Sequence, residues 1–201
     1  MTQQDTDRTG EFERQTRETS IEVEIDVDGV GDSDVDTGID FFDHMLEGFS
    51  KHGLFDLKVK ADGDLETGDH HTVEDVGICL GRALENALGD KEGVRRFGDA
   101  SAPLDESVST VVVDISGRPY FVEDVSDELE REKIADLSTQ MVTHFFRSLA
   151  TNASLTLHVE SKGDNDHHVV ESLFKAFGLA LDEATRIDER KRGVPSTKGK
   201  L

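Results

Sequence analysis

The chain has 201 residues and carries 22 Lys and Arg against 44 Asp and Glu, a formal net charge of −22. That length suffices for one large domain or two small fused units around a buried core. The charge argues against a basic footprint for nucleic acid and against docking on an anionic membrane surface. Hydrophobic residues make up 35%, yet they recur periodically and Pro numbers only 3, so the composition reads as an ordered protein with an acidic skin.

The opening MTQQDTDRTG has no apolar h-region and reads as a flexible segment over residues 1–10. Residues 20–27 alternate Ile21, Val23, Ile25 and Val27 against acids, a strand with one wet face. Residues 38–52 place Phe41, Phe42, Met45, Leu46 and Phe49 at helical spacing, with Gly53 as the expected stop. Residues 54–61 alternate again, and a Gly/Asp-rich turn leads into a helix that opens HHTVEDVGICLGRALENALG.

The order then recurs. Residues 107–115 read as a strand, and RPYFVE after Ser116-Gly117 reads as its hairpin partner. Residues 134–150 read as a helix, 154–160 as a strand, and HHVVESLFKAFGLALDEATRI as a long helix after a second polar turn. The tail ERKRGVPSTKGKL is basic and irregular. Aligned directly, residues 70–84 and 167–181 match at 7 of 15 positions, His, His, Val, Glu, Gly, Ala and Leu. We read a duplicated α+β unit, each half a small mixed sheet packed on two helices. The expected bounds are 11–98 and 99–190, followed by a tail over 191–201.

The doubled His-His-x-x-Glu is the strongest chemical signal: His70, His71 and Glu74, then His167, His168 and Glu171. On a helix, residues four apart share a face, so His70 with Glu74 and His167 with Glu171 point together. Imidazole with carboxylate suits Mn, Fe, Zn or Ni. Adjacent histidines do not easily share one ion, so each motif is expected to feed two sites. A polar helix cap or a surface Glu–His pair is the alternative. His44 and His144, 100 residues apart and each inside an apolar helix, complete eight ligands, or two sites of four. A satisfied core histidine is the alternative for each. His158 reads as a surface residue, and His52 as a helix-end charge or a neighbour of the His44 site. Basic residues are scarce, and Arg96, Arg118, Lys175, Ser196 and Lys198 could assemble an anion pocket, with solvated surface charge as the alternative. From these residues alone a metalloenzyme ranks first. A di-metal hydrolase and a metal-stabilised shell protein stay open.

Taken together, FFDHMLEGFSKHGLFDL, ETGDHHTVEDVGICLGRAL, RRFGDASAPLDES, DISGRP, GDNDHHVVESLFKAFGLALDEA and PSTKGKL resemble imidazoleglycerol-phosphate dehydratase, from about Arg14 onward. The resemblance implies a duplicated α+β fold of the kind seen in the second domain of a small-subunit ribosomal protein. It implies a hydro-lyase of histidine biosynthesis acting on a small phosphate substrate. It also implies a homo-oligomer of 24 subunits built from trimers, with two Mn(II) ions per active site lying between subunits. Carried over by motif, the ligands are His44, His70, His71, Glu74, His144, His167, His168 and Glu171. Substrate contacts fall on Glu18, His44, His52, His70, Glu74, Arg96, Arg118, His167, Lys175, Ser196, Thr197 and Lys198. Glu18 is the expected acid/base residue, with a metal-bound water or Glu171 as the alternative. Arg95-Arg96 offers two arginines where the family motif needs one, and Arg96 takes the role because it precedes Phe97-Gly98. The STKG motif stands close to the end of the chain, so its ordering is expected to depend on substrate.

The single cysteine, Cys79, forms no intrachain disulfide and reads as a core residue. With no apolar run of the ~18–20 residues a membrane span needs, the expectation is a reducing cytoplasm. The 44 acids against 10 lysines suit a halophilic cytoplasm, where salt screens self-repulsion. An ordinary acidic mesophile protein is the alternative. Thermal or urea unfolding is expected to shift to higher midpoints as KCl rises toward molar concentrations. Full stability without salt would remove the halophilic reading.

Overall fold

The computed structural model describes residues 8–201. The first half runs β1 (Thr9–Gln15), β2 (Thr19–Asp26), β3 (Ser33–Asp36), α1 (Asp40–Gly53), β4 (Asp56–Gly63) and α2 (His70–Leu88). The second runs β5 (Phe97–Leu104), β6 (Ser107–Asp114), β7 (Tyr120–Asp124), a two-rung hairpin of β8 (Lys133–Ile134) and β9 (Leu137–Ser138), α3 (Thr139–Asn152), β10 (Thr156–Lys162) and α4 (Asp166–Thr185). The sheets have orders β1-β2-β4-β3 and β5-β6-β10-β7, the same topology twice. In each, one edge pair is parallel, β3 with β4 and β7 with β10, and the rest are antiparallel. The duplicated α+β architecture expected from the repeat is the one observed.

Several local readings differ. Thr9 and Gly10 lie in β1, inside the segment expected to be flexible, while residues 1–7 fall outside the described region. β5 begins at Phe97, two residues before the expected boundary at 99. The RPYFVE segment is not the hairpin partner of β6. As β7 it pairs parallel with β10, Tyr120 opposite Thr156, because β10 occupies the place beside β6. α3 starts at Thr139 rather than 134, since residues 133–138 form the short hairpin. Gly53 is inside α1. Leu54 takes the left-handed cap at φ 58°, and its N–H reaches the Ser50 carbonyl.

Each sheet buries one face under its own helices, and the halves interlock through theirs. α2 lies on β1 and β2, and α4 on β5 and β6, while α1 packs on α4 and α3 on α2. A Cβ at Gly10 would overlap the Ala83 carbonyl, and one at Gly98 the Ala180 carbonyl, so the same close strand-to-helix approach occurs in both halves. Gly53 and Gly178 let α1 and α4 touch backbone to backbone, and Gly77 and Gly81 do the same for α2 and α3. An aromatic chain threads the centre. Phe42 of α1 meets Phe145 of α3 at 5.2 Å, Phe145 stacks on Phe174 of α4 at 5.4 Å, and Phe146 meets Phe177 at 5.3 Å. Cys79 is fully buried in this core, and burial, helped by the Asp75 charge, pushes its thiol up to about 12.

Because Phe174 touches helices of both halves, truncating it opens a cavity at their junction. Phe174→Ala is expected to lower stability by about 3–5 kcal/mol. Urea unfolding in constant high KCl measures it, and a loss below about 1 kcal/mol would mean the two halves are held together elsewhere.

Candidate metal and substrate site

The helix crossing decides which side chains meet. His44 on α1 faces the motif of α4, not that of its own half. Its Nε2 is 3.7 Å from Glu171 Oε2, and His167 Nε2 is 3.2 Å from the same oxygen. In mirror fashion His144 on α3 meets the motif of α2. His144 Nε2 lies 3.1 Å from Glu74 Oε1, and His70 Nε2 lies 3.7 Å from Glu74 Oε2. In each trio the ligand atoms fall within 4.8 Å of one another. Two imidazoles and one carboxylate gathered this closely fit a divalent transition ion, which binds imidazole in its neutral form.

The second histidine of each motif turns away from its trio. The rings of His70 and His71 stand at 73°, and those of His167 and His168 at 89°. His71 Nδ1 donates to Asp64 at 3.0 Å, and its Nε2 lies 3.9 Å from Glu18 Oε2. His168 Nδ1 donates to both oxygens of Glu106 at 3.1 Å. The expected four ligands per site are therefore not gathered within one chain. Each trio holds three, and the fourth points elsewhere because neighbouring helical residues diverge by about 100°.

Burial raises the Glu171 carboxyl, but the Lys175 hydrogen bond and charge, with His44 and His167, more than offset it and hold it below its ordinary range. Lys175 Nζ is 2.7 Å from Glu171 Oε1, so this expected phosphate contact lies against the metal-type trio. His52 is lowered, first by burial and then by the Lys175 charge, with Glu171 opposing. Its place beside Lys175 and Glu171 supports neighbourhood with the His44 trio more than a simple helix-end charge. The Asp64 carboxyl is held low by the His71 hydrogen bond, and His71 is raised by the same contact.

The remaining cations collect at the other end of the second half. Arg96 holds both oxygens of Asp114 at 2.7 and 3.2 Å, and its Nη1 donates to the Pro195 carbonyl at 2.9 Å. Arg118 sits in the turn after β6, donating to the Ser116 carbonyl at 3.2 Å. The tail passes beside them, with Leu201 against Gly117 and the Lys198 N–H on Ser196 Oγ at 3.2 Å. Arg96 N–H bonds the Ala184 carbonyl. Ala184 lies thirteen residues beyond Glu171 on α4, about 20 Å along the axis at ~1.5 Å per residue. The His44–His167–Glu171 trio and the backbone at Arg96 are thus far apart within one chain. Sequence reasoning named neither Asp64 nor Glu106. The signal available was acidic residues in the turn just before the first motif helix and in the turn within the second-half strand pair β5–β6.

This pairing of two histidine–glutamate trios with a distant cationic group can be set beside known proteins. The family model for imidazoleglycerol-phosphate dehydratase matches residues 37–181. The chain belongs to the imidazoleglycerol-phosphate dehydratase family. It is 59% identical to the imidazoleglycerol-phosphate dehydratase of Haloarcula marismortui, over 98% of this chain and all of that one. It is 55% identical to that of Acetivibrio thermocellus, over 97% of this chain and all of that one. Among solved structures, the Staphylococcus aureus enzyme matches with TM-score 0.80 at 38% identity, covering 90% of this chain and 99% of that one. The Pyrococcus furiosus enzyme in complex with (S)-C348 matches with TM-score 0.81 at 37% identity, covering 94% of this chain and all of that one. The protein is therefore a hydro-lyase of histidine biosynthesis acting on a small molecule. None of its described helices is long and apolar enough to cross a membrane.

Proposed function

We propose that the chain converts D-erythro-imidazole-glycerol phosphate to imidazole-acetol phosphate and water, using two Mn(II) ions per active site. The observation that carries the metal reading is the pair of trios, His44, His167 and Glu171 beside His144, His70 and Glu74, while His71 and His168 bond to Asp64 and Glu106 instead of joining them. His71 and His168 then complete sites on neighbouring copies, giving four protein ligands per ion. The same reasoning covers the anion group. A substrate that touches both a trio and the Arg96, Arg118, Ser196, Thr197 and Lys198 group takes them from different copies, since about 20 Å separates them along α4. This supports an active site between subunits, and the homo-oligomer of 24 subunits built from trimers is the assembly that the family resemblance implies for it. A cytoplasmic location and a halophilic source belong to the same reading.

The C–H bond broken in this dehydration has no neighbouring carbonyl to acidify it, so the imidazole ring must supply the driving force. Mn(II), when bound, supplies Lewis acidity toward the ring and so eases loss of its N–H proton. The protein does the rest. Glu171 is held ionised by Lys175, which suits a ligand better than a proton carrier. Glu18 is exposed at the hairpin tip, within 3.9 Å of His71 Nε2, a position that supports a role in proton exchange with the carbon chain of the substrate. The cationic group grips the phosphate, so binding energy from a non-reacting part of the substrate orients the reacting carbons.

Metal-stripped protein in high KCl is expected to be inactive and to regain ketone formation when Mn(II) is restored. No turnover with metal bound would replace the dehydratase reaction by the hydrolytic or structural reading of the trios. Glu18→Gln is expected to cut kcat by about 100-fold or more with metal content unchanged. Near-normal turnover would remove it as the proton carrier. Arg118→Ala is expected to raise KM strongly, and an unchanged KM would remove Arg118 from the phosphate contacts.

A further inference from the structure

The two halves place one glutamate each at the same point, the residue immediately before the second strand, at the turn joining the first two strands. Glu18 occupies it between β1 and β2, and Glu106 between β5 and β6. Their histidine neighbours, His71 and His168, are equivalent too. The contacts are not. Glu106 lies on the Nδ1 side of His168, both oxygens at 3.1 Å, whereas Glu18 lies on the Nε2 side of His71 at 3.9 Å. The difference has a visible source. In the first half Asp64, at the end of β4, already holds His71 Nδ1 at 3.0 and 3.2 Å, and Thr67 Oγ1 donates to the same carboxylate at 3.0 Å.

We propose that Asp64 and Glu106 are positioning residues that lock the outward histidines, so that the duplication has kept Glu106 as an orienting group and released its counterpart Glu18 for proton transfer. An ionised carboxylate only accepts hydrogen bonds. Against one, Nδ1 of a neutral imidazole must carry the proton, and the lone pair is fixed on Nε2, facing outward as a ligand. Nε2 of His168 has no hydrogen-bond partner among the described residues, as a ligand atom directed at a neighbouring copy requires. The ligand role of His71 and His168 rests on the metal reading above. The locked tautomer does not.

The test has two arms. The first is the ¹⁵N spectrum of metal-free, histidine-labelled protein in high KCl. His71 and His168 are expected as Nδ1–H tautomers, and Asp64→Ala and Glu106→Ala are expected to lose that preference at the respective ring. Both carboxylates are partly exposed, so truncation leaves the core intact. The second is Mn(II) titration followed by the electron-spin signal of free ion. The alanine variants are expected to bind Mn(II) about 10–100-fold more weakly, with Asp64→Asn and Glu106→Gln, whose amide oxygens still accept, recovering most of the loss. Glu18→Gln is expected to keep wild-type Mn(II) affinity while kcat falls. Unchanged tautomers and affinities in the alanine variants would overturn the proposal. So would a Glu106→Gln variant that loses kcat at saturating Mn(II) with affinity intact, since Glu106 would then share the chemistry of Glu18. Locked tautomers in a wild-type protein that binds no Mn(II) would instead overturn the metal reading, and with it the ligand role assigned to these rings.

Discussion

The close crossing of each half's first helix over the other half's second is the constraint on which the rest depends. α1 can lie on α4 only because Gly53 and Gly178 bring backbone against backbone, and α2 can lie on α3 only because Gly77 and Gly81 do the same. A side chain at these positions would meet main-chain atoms, which cannot move aside cheaply. Once the helices cross there, His44 is delivered to Glu171 and His144 to Glu74. Neither half holds a complete trio by itself. The buried phenylalanines between the helices fix the crossing angle, and the site's geometry is inherited from the core.

Duplication gives a built-in comparison, because equivalent positions share a backbone and differ only in side chain. Asp75 of α2 takes the Arg14 guanidinium at 2.9 Å and the Thr19 hydroxyl, while its counterpart on α4, Ser172, joins Ser109 at 2.7 Å, and Ser109 in turn meets Ser161 at 2.7 Å. One half closes its helix–sheet seam with an ion pair, the other with three small hydroxyls. The outer sheet faces diverge as well. β2 and β4 present Glu22, Glu24, Lys58 and Lys60, whereas the outer side of the second sheet leaves Phe97, Val108, Val112, Tyr120 and Val122 exposed. Glu18 and Glu106 belong to this pattern of unequal twins. The fold tolerates such divergence because each sheet contacts the other half only through helices.

The motif histidines and glutamates were legible in the sequence because helical spacing alone aligns His70 with Glu74 and His167 with Glu171. The outward turn of His71 and His168 followed from the same spacing. Other features were not legible. β1 and β5 carry charged or small residues and a Gly or Pro, so neither shows the alternation that marks a strand. Their pairing with β2 and β6 supplies what local propensity lacks. β7 followed a Ser-Gly turn and invited a hairpin, yet the insertion of β10 beside β6 is a long-range choice that no local signal encodes. The αL cap fell on Leu54 because Gly53 was needed for the helix contact, so packing overrode the usual preference for glycine at the stop. Arg96 was legible as a cation but not as one already gripping Asp114 and the Pro195 carbonyl.

That last contact bears on how the tail is held. Arg96 spends three donors on two fixed partners, one of them in the segment that precedes Ser196. Its guanidinium therefore anchors the tail as well as offering charge. Under the proposed phosphate role, the incoming anion meets a cation whose orientation is set by Asp114 and by φ 77° at Arg96 itself. Lys91 and Lys191 do comparable work nearby, Lys91 pairing with Glu85 at 2.8 Å and Lys191 capping the Val94 and Arg95 carbonyls. In a chain with twice as many acids as bases, Arg96, Lys91 and Lys191 are thus committed to internal contacts, while Arg17, Arg147, Lys162 and Arg192 stay exposed at the surface.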